Sequence, residues 1–537
     1  MAATTTIDSS RVPNSSAAPT PQAPPDQVTA GRVIAFFVMV FGMFMSILDI
    51  QIVSASLAEI QAGISASNDE IAWVQTSYLI AEVIMIPLSG TLARILSTRV
   101  LFAFSAAGFT AASALAATAT NIDQMIIYRA LQGFIGGGMI PSVFAAAYTI
   151  FPASKRAIVT PVVGLVATLA PTIGPTVGGY LSHAMSWHWL FLINVIPGII
   201  ITILAWILID FDEPELGLMK KFDWFGLFSM AVFLGSLEYF LEEGNAQGWF
   251  EDEAIVIAFV ATLVGGFLFF WRTLTYEFPV VDLRAFTNRN FSFGSFFSFV
   301  MGIGLYGLTY LYPLYLGRIR GYDSLMIGET MFVSGLTMFV MAPVAGFLSN
   351  RLDPRAMMMI GFAGFASGTW IMSHMTADWD FWELFLPQVL RGASLMIAMV
   401  PINNVALGTL PLDRVRNASG LFNLTRNLGG AVGLAVINTM LTHQTSIHFA
   451  RLAEHVNPAN PAAVSMIDSM TAKFDAAGLD GSLVAIRQIT GMVRQQAYIL
   501  SFIDVFTLLT LLFGSLIVMA LLLKKPKAAP KGAGGGH

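Results

Sequence analysis

The sequence predicts an all-α integral membrane protein with fourteen transmembrane helices, arranged as two six-helix bundles and two inserted helices. Fifty-five per cent of its 537 residues are hydrophobic and only 11% are charged, and the mean hydropathy is +0.70. Soluble globular proteins are less apolar and more highly charged. Apolar runs of about 20 residues recur along the chain, and each is long enough to cross roughly 30 Å of hydrocarbon. An internal repeat divides these runs into two related sets.

The positions of the apolar runs define the predicted spans. Six runs fall in the first part of the chain, two in the middle and six in the last part. They lie near residues 33–57, 71–96, 100–119, 124–150, 158–181, 188–209, 223–241, 254–274, 291–316, 325–349, 356–374, 382–410, 419–445 and 497–523.

The same pattern divides the chain into segments. The first 30 residues are rich in Ala, Thr, Ser and Pro, a composition typical of a disordered tail. The predicted segments are a disordered cytoplasmic tail (1–30), an N-terminal bundle (31–212), an inserted two-helix segment (213–280), a C-terminal bundle (281–523) with a long periplasmic loop (446–495), and a basic, glycine-rich cytoplasmic tail (524–537).

The repeat relates residues 90–99 to residues 346–355, and the same spacing relates Gly174 to Gly430. In both copies the first of these stretches ends a helix immediately before a short inner loop. Two related helical bundles with a site between them are the plan of many secondary transporters. The candidate residues of the inner-loop motifs are Gly90, Arg94 and Arg99 in the first copy and Gly346, Arg351, Asp353 and Arg355 in the second.

The distribution of Lys and Arg predicts the orientation. When both termini are placed in the cytoplasm, most of the 28 basic residues fall in the tails and inner loops. Because cytoplasmic loops carry the excess of Lys and Arg, we expect a multi-pass protein of the cytoplasmic (inner) membrane with both termini inside. The 446–495 loop then lies outside, and its apolar residues at helical spacing favour either a docking surface for a partner or a lid over the outer face.

Three charged residues lie inside spans of the first bundle, where each costs on the order of 2.5–3.5 kcal/mol on insertion scales. Asp49 lies roughly 24 Å from the inner side and Arg129 roughly 8 Å from the outer side, so their depths agree and the two can pair. Glu82 lies near the midplane. One interpretation is a proton-coupling site in which the arginine and a proton compete for the acid. The other is a static ion pair that fixes the helix register.

Four further charges have simpler interpretations. Arg391 and Arg426, in the second bundle, are interpreted as struts between helices. Glu238 and Glu329 lie nearer the outer ends of their spans, where we expect them to contact water.

The stretch 170–179 predicts a packing joint between helices. Pro171 and Pro175 remove backbone donors, and Gly174 and Gly178 leave one helix face open to the close approach of another helix. Gly174 lies roughly 24 Å from the inner side, at the predicted depth of Asp49. The stretch is therefore a candidate outer gate beside the proton-coupling site. The residues of this candidate gate are Pro171, Gly174, Pro175, Gly178 and Gly179.

The span near 291–316 is rich in aromatic residues, and the chain contains 27 Met. Aromatic and methionine surfaces adapt to many apolar ligands, although lipid-facing bulk is the simpler interpretation of most of these side chains. The candidates for the wall of a substrate cavity are Gln132, Tyr306, Tyr310, Asn423 and Arg426.

The composition also excludes several kinds of chemistry. No cysteine occurs in the sequence, which excludes disulfides, thiol catalysis and cysteine metal sites. The seven histidines show no metal-ligand spacing. The sequence therefore predicts a protein that is not an enzyme and has no metal, no cofactor and no nucleic-acid partner.

Five stretches together resemble the 14-helix drug:proton antiporters of the major facilitator superfamily, the EmrB/QacA type: 48–53, 128–141, 174–179, 187–198 and 420–430. The resemblance runs from about Val33 to the last span and implies the major facilitator fold. It also implies that Asp49 takes part in proton coupling and Arg129 in proton transfer. The 174–179 motif is typical of antiporters rather than symporters.

The function implied by this resemblance is proton-coupled export of hydrophobic or amphipathic drugs across the cytoplasmic membrane, with the proton gradient as the energy source. A periplasmic membrane-fusion adaptor and an outer-membrane channel complete the path in an EmrAB-type tripartite system. Three alternatives stay open: a proton symporter, an exporter of one endogenous metabolite or lipid, and a membrane sensor that no longer transports.

One inner-loop motif departs from the family pattern. The family has an acid at the position of Arg94 and a glycine at the position of Ser97, whereas the second copy keeps the expected charged residues. The departure implies that the charge relay closing the inner side is weaker in the first bundle or depends on Arg99 alone.

Overall fold

The structure is a computed structural model that describes residues 28–67, 70–477 and 480–523. Throughout these residues the regular structure is helical, which confirms the all-α prediction. The predicted disordered and basic tails fall almost entirely on residues outside the described ranges, so both remain predictions.

The first helix group comprises nine helices that follow the predicted spans. They are α1 (Ala30–Ala55), α2 (Leu57–Ile64), α3 (Trp73–Leu96), α4 (Thr98–Ala116), α5 (Ile122–Gly136), α6 (Met139–Thr149), α7 (Ala153–Ala184), α8 (Trp189–Leu192) and α9 (Val195–Leu208).

The helix pair α10 (Trp224–Glu243) and α11 (Glu253–Thr275) follows, and then the second helix group. The helices of the second group are α12 (Arg289–Tyr315), α13 (Ser324–Ser349), α14 (Pro354–Met372), α15 (Phe381–Leu407), α16 (Leu412–Ala453), α17 (Pro461–Asp475) and α18 (Gly481–Met519). Shorter turns are 3₁₀ at Leu216–Lys221, Trp249–Glu251, Leu283–Thr287 and Ala520–Leu522, and π-helical at Leu316–Arg320.

Twelve helical segments of the described chain are long and apolar enough to cross a membrane. The other two predicted spans correspond to α14 and α16, which are not among these twelve. Because α14 packs on α15 and α18, and α16 packs on α12 and α18, both belong to the same helical assembly as the apolar spans.

The packing of α7 and α10 determines how the two helix groups meet. Helix α7 packs on α1 of the first group and on α13 of the second, and α3 packs on α16. Helix α10 packs on α3, α11 and α16, so α10 of the helix pair lies beside the contact between α3 and α16 of the two groups. The division of the chain into two bundles and an insertion remains a prediction that agrees with this packing.

At the predicted inner side the groups are also joined by polar contacts. The Tyr148 hydroxyl lies 3.2 Å from the Asn404 Oδ1 atom, and the Thr160 hydroxyl donates to the same atom at 3.1 Å. A Cβ atom at Gly90 would lie 2.8 Å from the Cα atom of Asn417. The absence of a side chain at Gly90 therefore lets α3 approach the beginning of α16.

Candidate functional site

Asp49 on α1 and Arg129 on α5 form an ion pair inside the first helix group. The Arg129 Nη1 atom donates to Asp49 Oδ2 at 2.6 Å, and both side chains are 0% exposed. The Arg129 Nε atom donates to the Val74 carbonyl at 3.1 Å, and the guanidinium lies 4.3 Å from the centroid of the Tyr78 ring. The structure therefore brings together the two charges that the depth argument placed at one level.

Two amides complete the coordination of Asp49. The Oδ1 atom accepts from Asn194 Nδ2 at 2.7 Å and from Gln132 Nε2 at 3.1 Å. The Asn194 amide also donates to the Ser113 hydroxyl at 3.1 Å. Gln132 was predicted as a cavity residue, whereas sequence reasoning missed Asn194 and Ser113 as members of this network. The available signal was that Asn194 lies within the family-like stretch 187–198.

This arrangement makes the charge state of Asp49 important for packing. A buried ion pair with all its acceptors satisfied is stable only while both charges are present. A proton on Asp49 would remove the charge that holds Arg129 and would turn one carboxylate acceptor into a donor. Protonation and pairing with Arg129 are therefore in competition at this carboxylate.

Glu82 on α3 is buried but does not join the pair. It is 2% exposed, and its Oε1 atom has no hydrogen-bond partner among the described residues. Arg129, Asp49 and Arg426 lie within electrostatic range. The Glu82 carboxyl group is thus within electrostatic range of charged residues of both helix groups.

The predicted gate residues pack against the segment that follows Asp49. A Cβ atom at Gly178 would lie 2.6 Å from the Ile52 carbonyl oxygen, and one at Gly174 would overlap the side chain of Gln51. The two glycines therefore let the backbone of α7 lie directly on α1, two and three residues beyond Asp49. This agrees with the predicted common depth of the gate and the acid.

The rest of the gate motif lies along the same helix. Pro171 and Pro175 lie within α7, and Gly179 is buried. Thr176 contacts Gly328 of α13 so closely that a Cβ atom at Gly328 would overlap its side chain. Helix α7 therefore connects the helix of Asp49 to the second helix group.

The cavity candidates of the second group lie in two places. Arg426 donates to Asn423 Oδ1 at 2.7 Å and lies 5.2 Å from the Phe144 ring centroid. Half-buried Tyr306 lies within electrostatic range of Arg426. Tyr310 is 36% exposed and lies instead near Arg318 of the outer turn.

The inner-loop motif of the first group is held by the segment after α9. Arg94 pairs with Glu215 at 3.4 Å, and Arg99 pairs with Asp210. Asp212, a residue that sequence reasoning missed, accepts from the Thr98 backbone amide at 3.0 Å and from Arg416 of α16 at 2.7 Å. Asp212 therefore makes a charged contact with the second helix group.

The second copy of the motif has a different role in the structure. Asp353 accepts from the backbone amide of Arg355 at 3.0 Å and caps α14. The Arg351 guanidinium lies 4.2 Å from the Phe347 ring centroid. Gly346 lines a cavity of about 430 Å³ between α7 and α13.

The two acids expected to contact water differ from each other. Glu329 is exposed, as expected. Glu238 is only 6% exposed, so the expectation fails there. The reason is that α10 packs against α3 and α16, which cover the outer end of its span.

Comparison with known proteins decides the family. The family model described as "Major Facilitator Superfamily" matches residues 39–434, which is more than half of the chain. The chain belongs to the major facilitator superfamily. It is 42% identical over 477 residues to the "Colistin resistance protein EmrB" of Acinetobacter baumannii, a match that covers 89% of this chain and 93% of that protein. It is therefore an EmrB-type member of the superfamily and a multi-pass membrane protein.

Two further comparisons agree with this assignment to the major facilitator superfamily. The "Multidrug export protein EmrB" of Escherichia coli is 29% identical over 514 residues, which cover 95% of this chain and 98% of that protein. The crystal structure of the human organic anion transporter MFSD10 superposes with a TM-score of 0.56 at 12% identity, covering 90% of this chain and 100% of that chain. That likeness supports the major facilitator fold.

Proposed function

We propose that this major facilitator is a proton-coupled antiporter that exports hydrophobic or amphipathic drugs across the cytoplasmic membrane. The observation that carries the proposal is the contact of Gly174 and Gly178 with Gln51 and Ile52, directly beyond the buried Asp49–Arg129 pair. When the charge of Asp49 changes, it therefore changes next to the joint between α1 and α7. The names of the EmrB relatives support export of toxic compounds.

The transport cycle follows from competition at Asp49. A proton arriving from outside binds Asp49 and releases Arg129, which weakens the α1–α5 contact and frees α1 to shift on α7. Release of the proton to the cytoplasm restores the pair. Substrate then binds between the two helix groups, where Glu82 of the first group and Arg426 of the second lie within electrostatic range of each other. The reaction is transport without covalent chemistry and needs no cofactor besides the proton gradient.

The outer ends of α16 and α18 support a docking function. Helix α16 has 42 residues and α18 has 39, so they span roughly 63 and 58 Å at 1.5 Å per residue, about twice the hydrocarbon thickness. Helix α17 packs on α18, and Leu483 and Ile486 are 57% and 55% exposed. We propose that this projection docks a periplasmic adaptor leading to an outer-membrane channel.

The localisation that accompanies this proposal is the inner membrane with both termini in the cytoplasm. The excess of Lys and Arg in the predicted inner loops supports it. Attachment of a reporter enzyme after α11 and after α17 tests the orientation, because the first position is predicted to be cytoplasmic and the second periplasmic.

The experiment that tests the function compares inside-out vesicles with and without the protein. An imposed proton gradient should drive uptake of a lipophilic dye into the vesicles, and a protonophore should abolish it. A deletion strain should become more susceptible to the same dye. Uptake that is unaffected by the protonophore, or unchanged susceptibility to every dye, uncoupler and antibiotic tried, would contradict proton-coupled drug export.

A further inference from the structure

A cavity of about 220 Å³ lies at the predicted inner side, where the two helix groups and the helix pair meet. Its wall is formed by the end of α3, the residues that precede and cap α10, the segment between α11 and α12, and the beginning of α16. The Thr91 hydroxyl of α3 donates to the Val280 carbonyl at 2.6 Å and ties two of these parts together. A ligand in this inner cavity would therefore contact both helix groups and the helix pair.

One residue of the wall is Asp223, the N-cap residue of α10, which is 2% exposed. Its Oδ1 atom accepts from the Gly226 backbone amide and from Arg272 Nε, each at 2.9 Å. Its Oδ2 atom is buried and has no hydrogen-bond partner among the described residues. An ionised carboxylate accepts hydrogen bonds at both oxygens, and a buried acceptor without a donor is unfavourable. The Oδ2 atom therefore favours a ligand that carries a donor group.

A second acceptor in the wall of the inner cavity comes from the second helix group. The Asn417 Oδ1 atom of α16 is buried and likewise has no hydrogen-bond partner in the described part of the chain. Asn417 lies against Gly90 of α3, where a Cβ atom would come within 2.9 Å of this oxygen. A primary ammonium group has three N–H donors. Such a group therefore suits two acceptors that line one cavity.

The charges of the wall balance, which favours a ligand without net charge. Three acids and three bases line the inner cavity: Asp223, Glu277, Asp282, Arg94, Lys221 and Arg284. Lys221 and Arg284 have no ion-pair partner among the described residues, and the Lys221 Nζ atom lies 4.3 Å from the Phe278 ring centroid. These two unpaired bases suit an anionic group, as the two buried acceptors suit an ammonium group.

We infer that the inner cavity binds a small zwitterion whose primary ammonium group donates to Asp223 Oδ2 and Asn417 Oδ1. The anionic group of this ligand contacts Lys221 and Arg284. Phosphate diesters of ethanolamine have this chemistry, either as soluble molecules or as lipid headgroups. A ligand held by both Asp223 and Asn417 ties α10 to the beginning of α16 and so keeps the inner side closed. The binding site is independent of the proposed function, whereas this effect on export rests on it.

Two soluble zwitterions that differ only in the ammonium group test the binding site. Binding of glycerophosphoethanolamine and of glycerophosphocholine to the purified full-length protein is measured by isothermal titration calorimetry. The quaternary ammonium group of glycerophosphocholine has no N–H donor, so the wild type should bind glycerophosphoethanolamine about tenfold more tightly. Asn417→Ala removes one acceptor and should abolish most of this preference. Asp223→Asn should do the same, since an amide nitrogen at the Oδ2 position cannot accept a hydrogen bond.

Asn350→Ala is the matched control, because Asn350 is an asparagine that lines the separate cavity between α7 and α13. This variant should bind both probes as the wild type does. Asp223 also caps α10, so Asn417→Ala decides the result if Asp223→Asn does not fold. Three results would overturn the inference: no binding of glycerophosphoethanolamine by the wild type, equal affinities for the two probes, or an unchanged preference in Asn417→Ala.

Two further measurements identify the source of the ligand and its effect on export. A lower affinity for glycerophosphoethanolamine in nanodiscs of phosphatidylethanolamine than in nanodiscs of phosphatidylcholine would assign the site to the lipid headgroup, and equal affinities to a soluble zwitterion. In inside-out vesicles, glycerophosphoethanolamine should slow dye uptake by the wild type but not by Asn417→Ala. Unchanged uptake with the probe bound would contradict the closing effect. Absence of any proton-driven uptake, with selective binding retained, would contradict the proposed function alone.

Discussion

Arg129 and Arg391 are both buried arginines, one in each helix group, and their surroundings differ in kind. Arg129 pairs with a carboxylate at 2.6 Å and also donates to Gln132 and to a backbone carbonyl. Arg391 donates to the Thr309 hydroxyl and lies 5.6 Å from the Tyr312 ring centroid, and its Nε and Nη1 atoms have no hydrogen-bond partner among the described residues. Of the two arginines, only Arg129 can exchange an ion pair for a proton on its partner.

The largest predicted difference between the two arginines concerns the stability of the folded protein. Arg129→Met leaves Asp49 buried without a cation and should cost about 3–5 kcal/mol. Arg391→Met leaves no carboxylate unpaired and should be close to neutral. Thermal unfolding of the two purified variants measures the difference. Equal losses of stability would mean that the carboxylate partner does not distinguish the two arginines.

A second pair of variants compares the two faces of α7. A Cβ atom at Gly178 would lie 2.6 Å from the Ile52 carbonyl oxygen of the first group. A Cβ atom at Gly164 would lie 4.0 Å from the Asn403 side chain of the second group. Gly178→Ala should therefore overpack the joint, which lowers the free energy of unfolding by about 1–3 kcal/mol. We expect this variant to lose dye export. Gly164→Ala should export normally. Membrane levels of both variants check insertion, and normal export by Gly178→Ala would refute the gate.

A third pair compares the two buried asparagines that bind charged groups. Asn194 donates to Asp49 at 2.7 Å, and Asn423 accepts from Arg426 at 2.7 Å. Removing either hydrogen bond should cost about 1.5–3 kcal/mol. Only Asn194→Ala should change the pH profile of dye export, since it removes a hydrogen-bond donor to the carboxylate that exchanges the proton. The same change of pH profile in Asn423→Ala would show that a residue of the second helix group also exchanges protons during transport.

The smallest effect concerns the two copies of the inner-loop motif. Ser97 has φ 81° and ψ 155°, a conformation essentially restricted to glycine, whereas Asp353 in the second copy has φ −61°. The contacts of Asp212 with Thr98 hold this strained turn. Ser97→Gly should raise the free energy of unfolding by about 1 kcal/mol, measured by thermal unfolding. An unchanged or lower melting temperature would argue against strain at Ser97.

Much of the fold could be predicted from the sequence because the spans are set by local apolar length. The pairing of Asp49 with Arg129 could be predicted as well, since two costly charges at one depth favour each other. Asn194 and Asp212 could not be identified as partners, because their roles depend on how helices distant in sequence approach one another. The burial of Glu238 likewise depends on the packing of α10 on α3.

The structure of the loop 446–495 could likewise be predicted only in part from the sequence. Its apolar residues at helical spacing are interpreted as a docking surface or a lid, and in the structure α17 (Pro461–Asp475) lies within it. The extension of α16 and α18 beyond the predicted spans was missed, because the extending segments mix polar with apolar residues and form no continuous apolar run. Whether this projection docks an adaptor remains a prediction of the proposed function.

Proton movement in proteoliposomes containing Asp49→Asn tests most directly whether Asp49 couples transport to protons. A pH-sensitive dye reports proton flux when substrate is added on one side, while labelled substrate reports exchange across the same membrane. We expect Asp49→Asn to continue substrate exchange with no accompanying proton flux, because an amide cannot bind the transported proton. Proton flux equal to that of the wild type would contradict a coupling role for Asp49 and its pair with Arg129.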